Sequence, residues 1–149
     1  MSFPISNLEI RYSVHATEDP SKVKKAVSIL FPDDSFEAQF EEKLLKGHYG
    51  NSIVLVRVRI KDKKTVRAFI ERLSTELREV DKRTIAEEPN LFVDEHSLYL
   101  RFDKQAAFKG TLRLQKADPI YLRIKFHRVS NKKTRTDIIE SAKELGLIL

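Results

Sequence analysis

Apolar and polar residues alternate at every second position along several parts of the chain. In the first such segment, Leu8, Ile10, Tyr12 and Val14 alternate with polar or charged residues. The same pattern recurs in residues 53–61, 97–102, 110–115 and 120–127. Successive side chains of a strand point to opposite faces, so this period predicts strands with one buried and one solvated face. Strands of this kind form antiparallel sheets that are covered on one side only.

Helical periodicity separates the predicted strands. The first helix begins with Asp19 as its N-cap and Pro20 as its first helical residue, and it ends before Pro32. Three more helices are predicted, over residues 65–77, 80–87 and 134–145, with Gly146 as the residue that follows the last one. Residues 103–109 are rich in helix formers and are expected to form one helical turn.

Residues 36–45 fit either a helix or a strand. The turn-rich residues 47–51 follow them and lead into a clear strand, which favours a hairpin. With this choice the predicted order is β-α-β-β-α-α-β-β-β-α. We therefore expect one α+β domain over residues 1–149, with a single, mostly antiparallel sheet and helices packed on one face.

Composition restricts the class of protein further. A chain of 149 residues with 41% hydrophobic residues is long enough for one compact domain. The absence of cysteine excludes disulfides and thiolate sites. Apolar runs are far shorter than the roughly 20 residues of a membrane span, and residues 1–4 do not open a signal peptide. These features together predict a cytoplasmic location.

Positive charge is unevenly distributed along the chain. The net charge is +6, yet residues 96–136 hold eleven basic and two acidic residues, which leaves a slightly acidic remainder. Charge of this kind bears on the partners of a protein and not on its fold. The asymmetry is the first indication that the partner is acidic.

The outward positions of the predicted strands collect much of this charge. Alternation places eight basic residues there: Arg11, Arg57, Arg59, Lys61, Arg101, Arg113, Arg123 and Lys125. Four rings interleave with them, those of His15, Tyr99, Tyr121 and His127. Glu9 and Asp103 are the acids expected on the same face. Like charges on neighbouring strands repel, and a polyanion would offset that repulsion.

Aromatic rings among basic residues favour RNA over other polyanions, because unpaired bases stack on Tyr, His and Arg side chains. Phosphate contacts alone would be weakly sequence-specific. Two alternatives stay open for this face. A loop, a helix or a second copy of the chain could cover it, or it could dock an acidic protein in an RNA-processing complex.

Sequence motifs for catalysis are weak. The four histidines, His15, His48, His96 and His127, have no metal-binding spacing. Residues 94–96 form an acidic turn, but a metal-dependent nuclease needs several converging carboxylates. No glycine-rich loop precedes a helix, and no nucleophile elbow surrounds a serine. We therefore expect no enzyme, no metal and no cofactor, with a nuclease as the remote third possibility.

Three segments resemble a known family. They are residues 98–110 with 112–114, residues 14–26, and the loop at 47–51. Their order and spacing are similar to those of small archaeal proteins described as predicted RNA-binding or exosome-associated subunits. The resemblance implies a fold like that of ribosomal protein L-five and a role connected with RNA. It also implies a candidate surface made of His15, His48, Tyr49, Arg101, Lys104, Gln105, Lys109 and Arg113.

The resulting prediction is a non-catalytic RNA-binding protein, an accessory factor in archaeal RNA processing or in ribosome- or exosome-related work. Arginine and lysine side chains are expected to contact phosphates, and Tyr99 and Tyr121 to stack on bases. Lys104, Gln105 and Lys109 are expected to hold the RNA backbone at the edge of the sheet. Charge alone adds three residues near the C-terminus: Arg128, Lys132 and Lys133.

Overall fold

The computed structural model describes residues 3–31, 39–46, 50–127 and 135–149. Within them are five strands: β1 (Ile5–His15), β2 (Gln39–Lys46), β3 (Ser52–Ile60), β4 (Ser97–Phe102) and β5 (Ile120–Phe126). The helices are α1 (Pro20–Val27), α2 (Lys63–Glu76), α3 (Glu79–Glu87), α4 (Lys104–Phe108) and α5 (Arg135–Glu144). Short 3-10 helices occupy Ser28–Leu30 and Pro89–Leu91.

The five strands form one antiparallel sheet in the order β2-β3-β1-β5-β4. The long β1 lies at its centre, where Ile10 is opposite Val58 of β3 and Leu122 of β5. All three of these side chains are buried. The sheet and its helices confirm the predicted α+β class.

Helices supply the second half of the core. Asp62 caps α2 by accepting a hydrogen bond from the Thr65 amide (3.0 Å), and one face of the helix buries Phe69. The same stripe joins buried residues of α1 and α5 and the inward-facing strand residues in one apolar cluster. As predicted, Asp19 caps α1 and Pro20 begins it.

One predicted strand does not form. Residues 110–115 make only two isolated bridges, which join Leu112 to Leu77 and Leu114 to Phe102. Leu112 and Leu114 are two residues apart but pair with different parts of the molecule. The segment therefore crosses from the end of α2 to the edge of β4. Gly110 begins this path with a φ of 89°, a conformation that glycine adopts readily. The alternating residues form a segment that ends along the edge of β4, and the prediction of a strand there was wrong.

The ambiguous segment resolves in favour of a strand. Residues 39–46 form β2, which pairs with β3 as a hairpin, while residues 36–38 lie outside the described part of the chain. The bounds of other elements differ slightly from the predictions, since α2 begins two residues earlier, directly after its Asp62 cap. No helix in the described ranges is long and apolar enough to cross a bilayer.

Candidate nucleic-acid interface

The strand register arranges the outward side chains in two adjacent rows. In the first row, Arg59 of β3, Glu9 of β1, Arg123 of β5 and Tyr99 of β4 lie side by side. The second row holds Arg57, Arg11, Tyr121 and Arg101 in the same strand order. These eight residues are called the basic face below. Arg11, Arg57 and Arg59 leave 46%, 40% and 39% of their side chains exposed, so the face is open to a ligand.

Glu9 is buried in the middle of the basic face. Its Oε1 lies 2.8 Å from Arg57 Nε and 3.7 Å from Arg11 Nε, and its Oε2 lies 3.2 Å from Arg123 Nη2. The side chain is only 8% exposed, whereas the arginines are partly solvated. One carboxylate therefore holds guanidinium groups from three strands and offsets part of their mutual repulsion.

The donors of the arginines are not exhausted by Glu9. An arginine carries five N–H donors, and a carboxylate cannot accept all of those that surround it here. Within the described residues, the buried Nε of Arg123 has no hydrogen-bond acceptor. A cavity of about 460 Å³ opens above the group and is lined by Asn7, Leu8, Glu9, Arg11, Arg57, Arg59, Lys61 and Arg123.

An aromatic pair occupies the β4–β5 side of the basic face. The rings of Tyr99 and Tyr121 have centroids 6.2 Å apart and planes inclined by 31°. The guanidinium carbons of Arg11 and Arg101 lie 4.7 Å and 5.3 Å from the Tyr121 centroid, within the range of cation–π attraction. Side chains with planar faces, on which bases can stack, thus lie next to the arginines that surround Glu9.

Tyr99 is oriented by Asp94, whose Oδ2 accepts a hydrogen bond from the tyrosine hydroxyl at 2.6 Å. Partial burial and this bond raise the pKa of Tyr99. Burial alone would also raise the pKa of the Asp94 carboxyl, but hydrogen bonds from Tyr99 and from the His96 and Ser97 amides outweigh burial and lower that pKa. Residues 94–96, which the sequence presented as an acidic turn, therefore brace one tyrosine of the basic face.

His15 belongs to an ionic cluster at the end of β1. Its Nε2 lies 3.0 Å from Asp118 Oδ2 and 3.9 Å from Glu18 Oε1. Lys104 Nζ lies 3.0 Å from the same Asp118 oxygen and 3.3 Å from Glu18, and it donates to the Ser13 carbonyl at 2.6 Å. Burial tends to raise the pKa of Asp118, but hydrogen bonds from Lys104, His15 and Ser13 lower it overall.

This cluster brings together the ligand types of a metal site. Donor atoms of His15, Glu18 and Asp118 all lie within 4.8 Å of one another. The Lys104 ammonium, however, lies beside both carboxylates and already offsets part of their charge. A divalent ion would have to displace it, so the arrangement favours a structural cluster over a metal centre.

The remaining predicted residues are scattered. Lys61 lies in the cavity of the basic face, and exposed Lys125 lies opposite Asn7. Buried Lys104 is used within the protein, contrary to the expected contact with RNA backbone, and Gln105 lines a groove between α4 and α1. Three others lie away from the two rows: exposed Lys109 at the end of α4, Arg113 beside the edge of β4, and His127 near Lys63 and Arg67 of α2. Outside the described residues are His48, Tyr49, Arg128, Lys132 and Lys133.

Several residues around the face were missed by the sequence analysis. Glu41 and Lys43 of β2 share the outward side with Arg57, and the Glu41 carboxylate lies about 4.0 Å from Arg57 and 3.9 Å from Arg59. The hairpin predicted for residues 36–45 already implied this placement by alternation, although only the other predicted strands contributed residues to the expected face. Asp103, which was expected on the face, is instead the N-cap of α4. Asp118 gave no comparable signal, because its partners are distant in sequence.

Comparisons with known proteins agree on a family. A sequence profile for the family described as RNA binding matches residues 7–126. An RNA-binding protein of Pyrococcus abyssi is 37% identical over 131 residues, with 85% of each chain covered. A crystal structure of a DUF54 protein from Archaeoglobus fulgidus has a TM-score of 0.77 at 31% identity, covering 95% of this chain and 99% of that one.

A second solved structure, a DUF54 protein from Methanothermobacter thermautotrophicus, has a TM-score of 0.75 at 26% identity and covers 95% of this chain and 98% of its own. These relatives come from archaea, in keeping with the resemblance seen in the sequence. The profile match spans most of the chain, and the Pyrococcus relative matches over most of both chains. This chain belongs to the family of archaeal proteins described as RNA binding.

Proposed function

We propose that this protein binds RNA through the basic face and does so without catalysis, as an accessory factor of RNA processing in the archaeal cytoplasm. The observation that carries the proposal is the set of arginines held by buried Glu9 beside the Tyr99–Tyr121 pair. Association with an exosome-type complex, and a fold like that of ribosomal protein L-five, stay predictions from the family resemblance.

Phosphate groups are the ligands that fit the arginine half of the face. Glu9 holds the surrounding guanidinium groups in place before a ligand arrives, so less side-chain freedom is lost on binding. Their outer N–H donors remain available to phosphate oxygens, with which arginine forms charge-assisted, often bidentate bonds. Arg59 and Lys61 extend the same cavity beyond the reach of Glu9.

Unpaired bases are the ligands that fit the aromatic half. Base stacking on aromatic side chains is tolerant of sequence and contributes about 1–3 kcal/mol per base. Tyr121 already lies against Arg11 and Arg101, so a base can stack on the guanidinium planes as well as on the rings. We infer a preference for single-stranded RNA, or for loops and ends of folded RNA, over a continuous duplex.

The test is a salt-dependent binding assay on a charge-reversed face. Arg59→Glu with Arg101→Glu removes two proposed phosphate contacts and leaves the arginines nearest Glu9 in place. We expect weaker binding of single-stranded RNA and a salt slope that is smaller by about 1.4, since each phosphate contact on a single strand contributes about 0.7. Fluorescence anisotropy between about 50 and 200 mM salt measures both quantities.

The matched control reverses two exposed charges on helices, Arg83→Glu with Lys143→Glu. It changes the net charge equally but leaves the basic face intact, so its affinity should stay close to that of the unmodified protein. If both variants lose RNA affinity equally, the loss would be due to overall charge and not to the basic face. Unchanged binding by the Arg59/Arg101 variant would overturn the proposed face. Absence of RNA affinity in the unmodified protein would favour an acidic protein partner instead.

A further inference from the structure

The two edges of the sheet are treated differently. At the β4 edge, the Tyr99 amide donates to the Phe92 carbonyl (2.7 Å) and the Gln115 amide donates to the Arg101 carbonyl (2.9 Å). Two more backbone bonds connect Asp94 to Ser97 and Asp103 to Arg113. Irregular segments from both sides thus satisfy the backbone groups that β4 would otherwise expose.

At the opposite edge, β2 runs for eight residues. Among the described residues, none forms a backbone hydrogen bond with its outer side. Long strands with apolar side chains at a sheet edge are templates for pairing with another chain. Leu44 and Phe40 of this strand are 69% and 47% exposed, although Lys24 of α1 covers part of the Phe40 ring.

The exposed apolar side chains continue the core layer. In the register with β3, Phe40 is opposite Val58 and Leu44 is opposite Val54, so both lie on the helix side of the sheet. Val58 is fully buried, whereas Leu44 is the most exposed of the large apolar side chains that the structure describes. The core layer therefore reaches the β2 edge, where the Leu44 side chain is mostly exposed.

We propose that β2 pairs antiparallel with β2 of a second copy of this chain, in a register centred on Glu42. A two-fold axis perpendicular to the sheet keeps every side chain on its own face. In this register, Phe40 is opposite the partner's Leu44 on the helix side. On the outward side, Glu41 is opposite the partner's Lys43. Each pair occurs twice across the axis.

Neighbouring registers lack this complementarity. With Lys43 on the axis, both acidic residues of the strand face leucines of the partner. With Glu41 on the axis, Phe40 faces the partner's Glu42. The register centred on Glu42 pairs apolar with apolar side chains and acid with base, which are the favourable cross-strand combinations. Its one unfavourable contact is Glu42 against the partner's Glu42.

The pairing would give a ten-stranded sheet that carries two basic faces on one side. Two RNA-contacting surfaces in one assembly raise the apparent affinity for RNA long enough to reach both. The dimer is independent of the proposed function, since it depends on the β2 edge and not on the arginines. Its failure would leave RNA binding by a single copy intact.

The first experiment is sedimentation velocity of the full chain across a concentration series. We expect a dimer for the unmodified protein and a dissociation constant at least about 100-fold higher for Leu44→Glu, since two buried leucines are lost per dimer. Leu91→Glu is the control, because Leu91 is 59% exposed outside the sheet. A monomeric unmodified protein, or a Leu44→Glu variant that dimerises equally well, would overturn the proposal.

The register is tested by two changes at the axis. Glu42→Gln removes the opposed charges and should lower the dissociation constant by about 2- to 10-fold. Because the chain has no native cysteine, Glu42→Cys reports the contact directly and should form a disulfide between copies under mild oxidation. Lys43→Cys is the control that should not cross-link. Cross-linking at Lys43→Cys in place of Glu42→Cys would show another register, and so contradict this one.

Discussion

The Glu9 carboxylate is the only acid in the two rows of the basic face, and it is also their most buried charged group. Arg11 and Arg57 are directly opposite on β1 and β3, a like-charge pair that would destabilise the sheet if nothing compensated it. Glu9 contacts both of them and Arg123 as well. Glu9 therefore offsets part of the electrostatic repulsion between arginines on neighbouring strands.

Glu9→Gln should separate stability from binding. The neutral amide removes the carboxylate that contacts Arg11 and Arg123 and leaves Arg57 with Glu41 alone, so we expect the free energy of unfolding to fall by about 1–3 kcal/mol. This is less than for a fully buried pair, because the arginines are partly solvated. At low salt the RNA affinity should not fall, since the face gains net positive charge. Urea unfolding and anisotropy measure the two effects; a variant as stable as the unmodified protein would refute the role of Glu9.

The lowered pKa of Asp118 predicts that the stability of the protein depends on pH. Hydrogen bonds from Lys104, His15 and Ser13 hold its pKa below the ordinary value of about 3.9, despite the opposing effect of burial. A lowered pKa in the folded state contributes stability that is present above the unfolded value and is lost as the pH falls through the folded value. Asp118→Asn should therefore be less stable at neutral pH and lose less on acidification below pH about 4.

The corresponding measurement is urea unfolding as a function of pH for both proteins. Lys104, His15 and Glu18 surround the same carboxyl, so Glu18→Gln serves as a control that perturbs the cluster but keeps the Asp118 charge. Parallel pH profiles for the unmodified protein and Asp118→Asn would show that this carboxyl contributes nothing to acid sensitivity.

Strands β4 and β5 contribute most of the aromatic half of the basic face. Tyr99 of β4 is opposite Arg123 of β5, and Tyr121 of β5 is opposite Arg101 of β4. The two tyrosines are therefore diagonal neighbours on adjacent strands, which brings their rings together. At the outer edge of β4, the bridged residues 110–115 take the place of a sixth strand. The aromatic pair thus lies close to one covered edge, while the arginines extend towards β3.

Tyr121→Leu should distinguish stacking from charge. The change keeps an apolar side chain but removes the ring, so single-stranded RNA should bind about 5- to 150-fold more weakly, equivalent to about 1–3 kcal/mol for one stacked base. The salt slope should not change, because no phosphate contact is lost. Anisotropy titrations with single- and double-stranded RNA test both points. An equal loss for the duplex, or a reduced slope, would contradict base stacking at this position.

At the scale of the whole molecule, the basic face does not coincide with the basic segment of the sequence. Arg101 and Arg123 come from residues 96–136, but Arg11, Arg57 and Arg59 come from the slightly acidic remainder. Conversely, Lys104 of the basic segment is buried in the His15 cluster. The charge of the sequence predicted an acidic partner. The surface proposed to bind that partner is formed only in part by the basic segment of the sequence.

Much of the fold was predictable because it depends on local patterns. Period-two alternation identified β1, β3, β4 and β5, and the caps Asp19 and Asp62 mark the starts of two helices. The same pattern failed at residues 110–115, where alternation arises from two unrelated bridges. It was ambiguous at β2, whose exposed leucines do not follow a buried-face rule. These two segments were poorly predicted because their neighbours, and not their own periodicity, determine their structure.

The sequence by itself determined which residues face outward on the central strands, since strand geometry alternates side chains regardless of the surroundings. It also determined the α+β class and the chemical character of the surface. Only the tertiary structure decided the strand order and register, which set Glu9 among arginines from three strands and Lys104 against Asp118. The physical reason is that contacts between distant residues depend on how strands pair across the sheet, and no local period encodes that pairing.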